Sequence, residues 1–228
     1  MPLTVPVLAG SRLRLEPMSE SHVAGLACAG AEDRATYGYT GVPEGPDATA
    51  AYVADQLAAA TRGEIVPFAQ VAVDGTVVGA TRYLDLRWLP RGPLPYAVEI
   101  GGTWLAASAQ RNGLNVEAKL LLLRHAFEVL GVQRVDFRTD ARNDRSRAAI
   151  AALGAEFEGV LRSAQPSRAP GEEGLLRDTA LFSVVAGEWP SVRDRLGARL
   201  EQPTEIPRLS AELHGGQTES RPATAAHR

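Results

Sequence analysis

Gln110-Arg111-Asn112-Gly113-Leu114-Asn115 is the stretch of this chain whose residue types and order point most directly to chemistry. It joins a β-patterned segment to a long segment with a helical apolar stripe. Backbone N–H groups at a helix N-terminus lack intrahelical partners and carry partial positive charge, which makes such a turn an anion site. Gly113 lets the backbone approach a phosphate closely. Arg111 and Lys119 are expected to add positive charge at the same end of the helix. Turns of this composition also connect strands to helices without binding anything, and the hexapeptide alone leaves that reading open.

The elements that must position this turn follow from periodicity. Residues 115–130 form the clearest helix: Val116, Leu120, Leu123, Phe127 and Leu130 recur at spacings of four and three, and Gly131 ends it. Residues 96–105 read as the strand before the turn. Simple alternation places Tyr96, Val98, Ile100, Gly102 and Trp104 on one face and Ala97, Glu99, Gly101, Thr103 and Leu105 on the other. Upstream, residues 13–16 alternate as a first strand, and Ser19 or Ser21 caps a helix running to about Ala29. Residues 37–46 form a Gly/Pro loop, and Asp47 caps a second helix ending near Gly63. Residues 68–73 and 76–80 pair as a hairpin across Asp74-Gly75, and 89–95 is a loop. Downstream come a strand at 134–139, a short helix at 146–153, a strand at 156–161, a polar loop at 163–174, a strand at 178–185 and a helix at 189–200. From Glu201 the composition turns to Pro, Thr, Ser, Gly and Glu, so 201–228 is expected to be a disordered tail behind one domain spanning 1–200.

Composition narrows the function classes. The 228 residues are 45% apolar and 22% charged, which suits one generous globular domain. A net charge of −3 with no basic stripe argues against nucleic acid as partner. No stretch approaches a membrane span, and the first ten residues lack the marks of a signal peptide, so a cytoplasmic protein is expected. The single Cys28 permits no intrachain disulfide and reads as a buried structural thiol. The few His and one Cys offer no metal-ligand spacing, and neither His22 nor His125 is assigned a catalytic role. Basic residues are almost all arginine, and Lys119 is the only lysine.

Between Arg12 and about Val185 the chain resembles the GCN5-related N-acetyltransferases, specifically the branch holding the RimJ/RimL-type ribosomal-protein acetyltransferases. The family's pyrophosphate signature is Gln/Arg-x-x-Gly-x-Gly/Ala. Gln110 and Gly113 match it, whereas Asn115 departs at the last position and is itself a good N-cap residue. Leu13-Arg14-Leu15-Glu16-Pro17, Glu99-Ile100-Gly101 with Trp104-Leu105, and Asn143-Asp144-Arg145-Ser146 followed by Leu153-Gly154-Ala155-Glu156-Phe157 resemble further segments of the branch in the same order. The resemblance implies a mixed α/β fold, with a mostly antiparallel sheet of about seven strands, one pair splayed, and about four flanking helices. It implies acetyl-CoA as cosubstrate and no metal. Trp104 and Leu105 would pair their backbone with the pantetheine arm, and Gln110, Arg111, Asn112, Gly113, Leu114 and Asn115 would hold the pyrophosphate. Asn143 would contact pantetheine, Ser146 would lie near the thioester sulfur, and Glu99 would face the acceptor amine.

That chemistry needs a proton acceptor, because only the neutral amine attacks a thioester. It also needs a donor to the oxyanion and a proton for the departing thiolate. The plain readings are a strand carboxylate paired with arginine for Glu99, a helix cap for Ser146 and a turn residue for Asn143. The acceptor walls are expected in the loops carrying Tyr37 and Tyr39, Arg87 and Trp88, and residues 163–174, which fits a protein N-terminus, an amino acid or an amine-bearing antibiotic alike. The competing class is a non-catalytic acyl-CoA-binding module, which would have no need of both Glu99 and Ser146. A second copy of the chain is kept open as a partner.

Overall fold

The computed structural model describes residues 2–90 and 92–201. Its strands are β1 (Leu8–Ala9), β2 (Leu13–Pro17), β3 (Val66–Ala72), β4 (Val77–Trp88), β5 (Pro95–Leu105), β6 (Arg134–Asp140), β7 (Glu156–Pro166) and β8 (Leu176–Val185). The helices are α1 (Val23–Ala31), α2 (Gly45–Thr61), α3 (Leu114–Arg124), α4 (Asp144–Ala151) and α5 (Trp189–Glu201). One mixed sheet runs β1-β2-β3-β4-β5-β6-β8-β7, antiparallel throughout except between β5 and β6. The eighth strand, beyond the expected seven, is the short β1, which pairs Leu8 with Leu15 at the sheet edge.

Neighbouring residues of β4 show how the layers lie. Arg82 reaches Gln56 of α2 at 2.5 Å, while Tyr83 donates its hydroxyl to the Leu122 carbonyl of α3 at 2.6 Å. Successive strand residues point to opposite faces, so α1 and α2 cover one face of the sheet and α3 covers the other. Alpha-5 packs beside α3, and α4 lies against β6 and β8. Alpha-3 is buried almost all round, from Ala118 through Leu123, and passes into a π-helical turn at His125–Val129 before Gly131.

Two features of β5 set up the site. Its parallel pairing with β6 covers only Ala97↔Arg134, Val98↔Val135 and Glu99↔Asp136. Beyond Glu99 the strands part, which leaves the β6-facing edge of residues 100–105 open. On its other side β5 bulges against β4: Gly101 pairs with Arg82 and Trp104 with Ala80, so β5 has one residue more than β4 between these pairs. Gly102 sits there at φ 57, where an added Cβ would meet Arg82 Nε at 2.7 Å. The extra residue reverses the pleat. Simple alternation separates Glu99 from Trp104. In the structure both lie on the α1/α2 face, and Thr103 turns to the α3 face.

Other expectations are corrected at their ends. Alpha-2 starts at Gly45 with Glu44 as N-cap, so Asp47 lies in the first turn and caps nothing. Beta-4 runs on to Trp88, which places Arg87 and Trp88 at a strand end and not in a loop. Beta-7 continues to Pro166, consuming the start of the expected 163–174 loop. Cys28 is exposed, because Leu26, Ala29 and Gly30 take the inward side of α1. The tail expectation for 201–228 falls, beyond Glu201, outside the described residues. Among the described residues no helix is long and apolar enough to cross a membrane.

Candidate active site

The hexapeptide turn is built as a helix N-terminus. Leu114 is the first residue of α3, and Gly113, at φ 88, is its N-cap; Asn115 is therefore one residue inside the helix and does not cap it. Asn112 Oδ1 accepts the Leu114 amide at 3.2 Å. The next amides, at Asn115 and Val116, belong to the first turn, which has no intrahelical acceptor to offer them. Asn115 Oδ1 is buried with no hydrogen-bond partner among the described residues. Gln110 closes the turn from β5: its Nε2 donates to the Leu105 carbonyl at 2.9 Å and to Thr36 Oγ1 at 3.2 Å. Arg111 is exposed and adopts φ 63.

Lys119 does not join this turn. Its Nζ turns into the protein and donates to Thr103 Oγ1 at 2.5 Å. One turn along a helix displaces a side chain by a full pitch, and Lys119 follows the buried face of α3 instead of its N-terminal end. Gly113 has a reason beyond ligand approach, since an added Cβ would lie 2.6 Å from Arg12 Nη1 at a left-handed φ. Gly113→Ala is expected to cost about 1–2 kcal/mol, mostly from backbone strain because the Arg12 side chain can yield. A fall in the urea midpoint with unchanged m-value would measure it.

Fixing the turn falls to residues that sequence reading missed. Glu117, buried on α3, accepts the amides of Ser11 (2.9 Å), Arg12 (2.8 Å) and Leu13 (2.9 Å) and the Ser11 hydroxyl (2.8 Å). Arg12 in turn donates to the Asn112 carbonyl at 3.3 Å and the Leu200 carbonyl at 2.7 Å. One acid and one arginine thus bolt the start of α3 to β2 and α5. The sequence signal was faint: a single Glu inside an otherwise apolar helix face.

At the other end of the open edge stands Glu99. Its Oε2 accepts from Arg138 Nη1 at 2.8 Å, and Arg138 Nη2 also meets Asp85 Oδ2 at 3.1 Å. Asp136 accepts from Arg87 Nη2 at 2.6 Å. Burial pushes the Glu99 carboxyl up to about 7, opposed by the Arg138 guanidinium and reinforced by Asp85 and Asp136. Arg87, expected at an acceptor wall, is thus engaged in this charge cluster. The cluster was legible in part, since Arg134, Asp136 and Arg138 alternate with Val135 and Phe137 along β6, marking one charged face.

Asn143 and Ser146 sit where β6 gives way to α4, on the side of the gap opposite Gln110. Asn143 is the N-cap of α4 and accepts the Ser146 amide through Oδ1 at 3.0 Å. Ser146, half-buried, is not the cap. Arg145 of the same turn spans the gap, donating to Gln110 Oε1 at 2.6 Å and the Thr36 carbonyl at 3.3 Å. Through Arg145 the structure brings the turn that carries Asn143 and Ser146 up to Gln110, which in turn holds the Leu105 carbonyl.

Of the expected acceptor residues, Tyr37 is buried, donates to the Ala29 carbonyl at 3.1 Å, and meets Trp104 edge-on at 6.2 Å between ring centres. Tyr39 lies under the Arg142 guanidinium at 5.1 Å. Trp88 stays exposed at the end of β4. A cavity of about 310 Å³ opens between Arg34, Tyr37, Gly38 and Thr40 on one side and Arg168 and Pro170 on the other. Its walls are two of the three expected loops. Among the described residues no cluster of acid, His or Cys side chains could hold a metal ion.

Comparison with known proteins agrees with this geometry. Residues 12–156 match the family model of the acetyltransferase (GNAT) domain. A candidate acetyltransferase from T. thermophilus superposes with a TM-score of 0.71 at 34% identity, covering 88% of this chain and 100% of that one. A GCN5-related N-acetyltransferase from Brucella melitensis gives 0.70 at 26% identity over 84% of each chain. RimJ of Mycobacterium smegmatis, solved in complex with CoA-disulfide, gives 0.67 at 25% identity over 85% of this chain and 91% of its own. A search of curated proteins finds no match. With a sheet splayed beside a helix N-terminus and a family match across most of the described chain, this protein belongs to the GNAT acetyltransferase family and is an acyltransferase.

Proposed function

We propose that the protein transfers the acetyl group of acetyl-CoA to a primary amine, either a protein N-terminus or a small molecule, in the cytoplasm. One observation supports this above the others. The open edge of β5, residues 100–105, begins at a buried carboxylate poised near neutrality and ends at a helix N-terminus. Six extended residues span about 20 Å, room for a pantetheine arm laid along the strand. In this reading the Trp104 and Leu105 backbone pairs with that arm, and Asn143 borders it. The turn at 110–115 receives the pyrophosphate on its free amides, with Arg111 beside it. The buried, unpartnered Asn115 Oδ1 turns an acceptor inward, so the departure from the signature leaves the amides as the anion-binding groups.

The acetyl-CoA thioester supplies an activated acyl carbon, and the chain supplies the rest. Glu99 takes the amine proton, a task suited to a carboxyl whose pKa lies near the working pH. Backbone amides along the open edge donate to the oxyanion. Ser146, across the gap on α4, donates a hydrogen bond to the departing thiolate, which takes its proton from solvent after release. Tyr37, Tyr39, Trp88 and the Arg168 side of the cavity bound the acceptor. A pure binding module would need none of the Glu99 arrangement.

Free-thiol release from acetyl-CoA tests this against peptides beginning with Ser or Ala, amino acids and aminoglycosides. Acetyl-CoA at a hundredfold excess over its Kd is expected to stabilise the fold by about 2.7 kcal/mol. Arg111→Glu, an exposed charge reversal, is expected to weaken acetyl-CoA binding about tenfold by titration calorimetry with the fold intact. Thermal stability unmoved by millimolar CoA would reject the cofactor site.

A further inference from the structure

Lys119 is the only lysine in the chain, and the mechanism above makes no use of it. It is 5% exposed, in the layer between α3 and the sheet. Its Nζ donates to Thr103 Oγ1 at 2.5 Å and lies 3.5 Å from Thr81 Oγ1, and the two hydroxyls are 2.8 Å apart. Burial alone pushes its amine down to about 7, with no nearby charge opposing or reinforcing the shift. Burying a strongly hydrated ammonium group between two hydroxyls is costly. If the layer needed only to be filled, an apolar residue would serve better.

The two threonines are not arbitrary partners. Thr81 lies between Ala80 and Arg82, where the β4–β5 register slips, and Thr103 follows Gly102 in the bulge. They face each other across the irregularity that turns Glu99 and Trp104 to the same side. Thr103 also lies within residues 100–105, the open edge. Lys119 therefore grips both strands at the place where the direction of the β5 backbone is set.

We propose that Lys119 is a positioning residue for acetyl transfer: by holding Thr81 and Thr103 together it fixes the β5 bulge, and through it the aim of the backbone amides that meet the thioester carbonyl. The proposal rests on acetyl-CoA lying along the open edge of β5. A buried amine at this layer would act on the reacting carbonyl only through that backbone, since Lys119 and Glu99 lie on opposite faces of the sheet.

The test uses full-length protein with acetyl-CoA carrying carbon-13 at the acetyl carbonyl, read by difference infrared spectroscopy, which needs no acceptor. Lys119→Met keeps the length and removes the donor, while Thr81 and Thr103 still satisfy each other. Its Tm is expected to stay within about 3 °C of wild type. The bound carbonyl stretch should lie below that of free acetyl-CoA in wild type and return toward the free value in Lys119→Met. With the best amine of the panel, kcat should fall at least about tenfold while KM for acetyl-CoA changes less than about threefold. Thr103→Val should act in the same direction, and the double variant should be no worse than the worse single one. Unchanged carbonyl frequency and kcat in either variant overturn the proposal, as do losses that follow a falling Tm or that add in the double variant. Should Lys119→Met not fold, Thr103→Val decides by the same readouts. A wild-type protein giving no bound carbonyl signal overturns the cofactor reading itself, and the proposal with it; a wild-type signal that Lys119→Met leaves in place overturns the proposal alone.

Discussion

Glu99→Gln is expected to lower kcat by about a hundredfold to ten-thousandfold, with KM for acetyl-CoA nearly constant. The substitution keeps the size and a hydrogen-bond acceptor for Arg138 but removes the proton acceptor. In wild type the rate should rise with pH through about 7, where the carboxyl loses its proton. In the variant this rise should vanish, and the deficit should shrink at high pH, where more of the amine is already neutral. Stability gives an independent check. The folded pKa lies above the ordinary 4.5, so the folded state binds this proton more tightly than the unfolded chain. That contribution is fully present below about pH 4.5 and is lost as pH rises to about 7. Relative to wild type, Glu99→Gln should therefore gain in urea midpoint across that window. The ion pair with Arg138 favours a second reading, in which Glu99 only anchors the strand and positioning alone drives the reaction. A flat, fewfold drop in kcat at every pH would establish that reading and leave no dedicated base.

Glu117→Ala is expected to destabilise the fold by about 3–5 kcal/mol, a large share of the 5–15 kcal/mol typical of a domain. The carboxylate collects three backbone amides and a hydroxyl within 2.9 Å, and removing it strands donors that water reaches poorly. Gly10 leaves little room for a repacked side chain, since even a Cβ there would lie 2.6 Å from the carboxylate carbon. Glu117→Gln should recover part of the loss, because one acceptor oxygen remains while the amide NH2 opposes donors. Urea unfolding followed by circular dichroism measures both. A stability within about 0.5 kcal/mol of wild type for Glu117→Ala would show that β1 and β2 dock on α3 by apolar contact alone. Because the same contacts seat the N-terminus of α3, acetyl-CoA affinity should fall along with stability.

Local chemistry was enough for the sequence to determine most elements and the glycine turn that opens α3. The 3.6-residue stripe of Val116, Leu120 and Leu123, the Asp74-Gly75 hairpin, and the Gln110 to Gly113 spacing are each set by neighbours in the chain, and each stands in the structure within a few residues of where it was expected. Which residues face one another was settled by contacts between distant segments. Simple alternation divided Glu99 from Trp104, and one inserted residue at the Gly102 bulge put them on one face. That insertion is defined only against the register of β4. Lys119 sat near the turn in sequence, yet the pull of Thr81 and Thr103, 38 and 16 residues away, carried its amine into the layer between α3 and the sheet. Glu99 was expected to face the acceptor amine, with pairing to an arginine as the plain reading; that the arginine is Arg138, and that burial with Asp85 and Asp136 nearby lifts the carboxyl to about 7 against it, depends on strands far apart in sequence. Periodicity is a property of one segment, whereas bulge phase, burial and charge pairing belong to the packing of several, and these were decided only once the sheet had closed around the site.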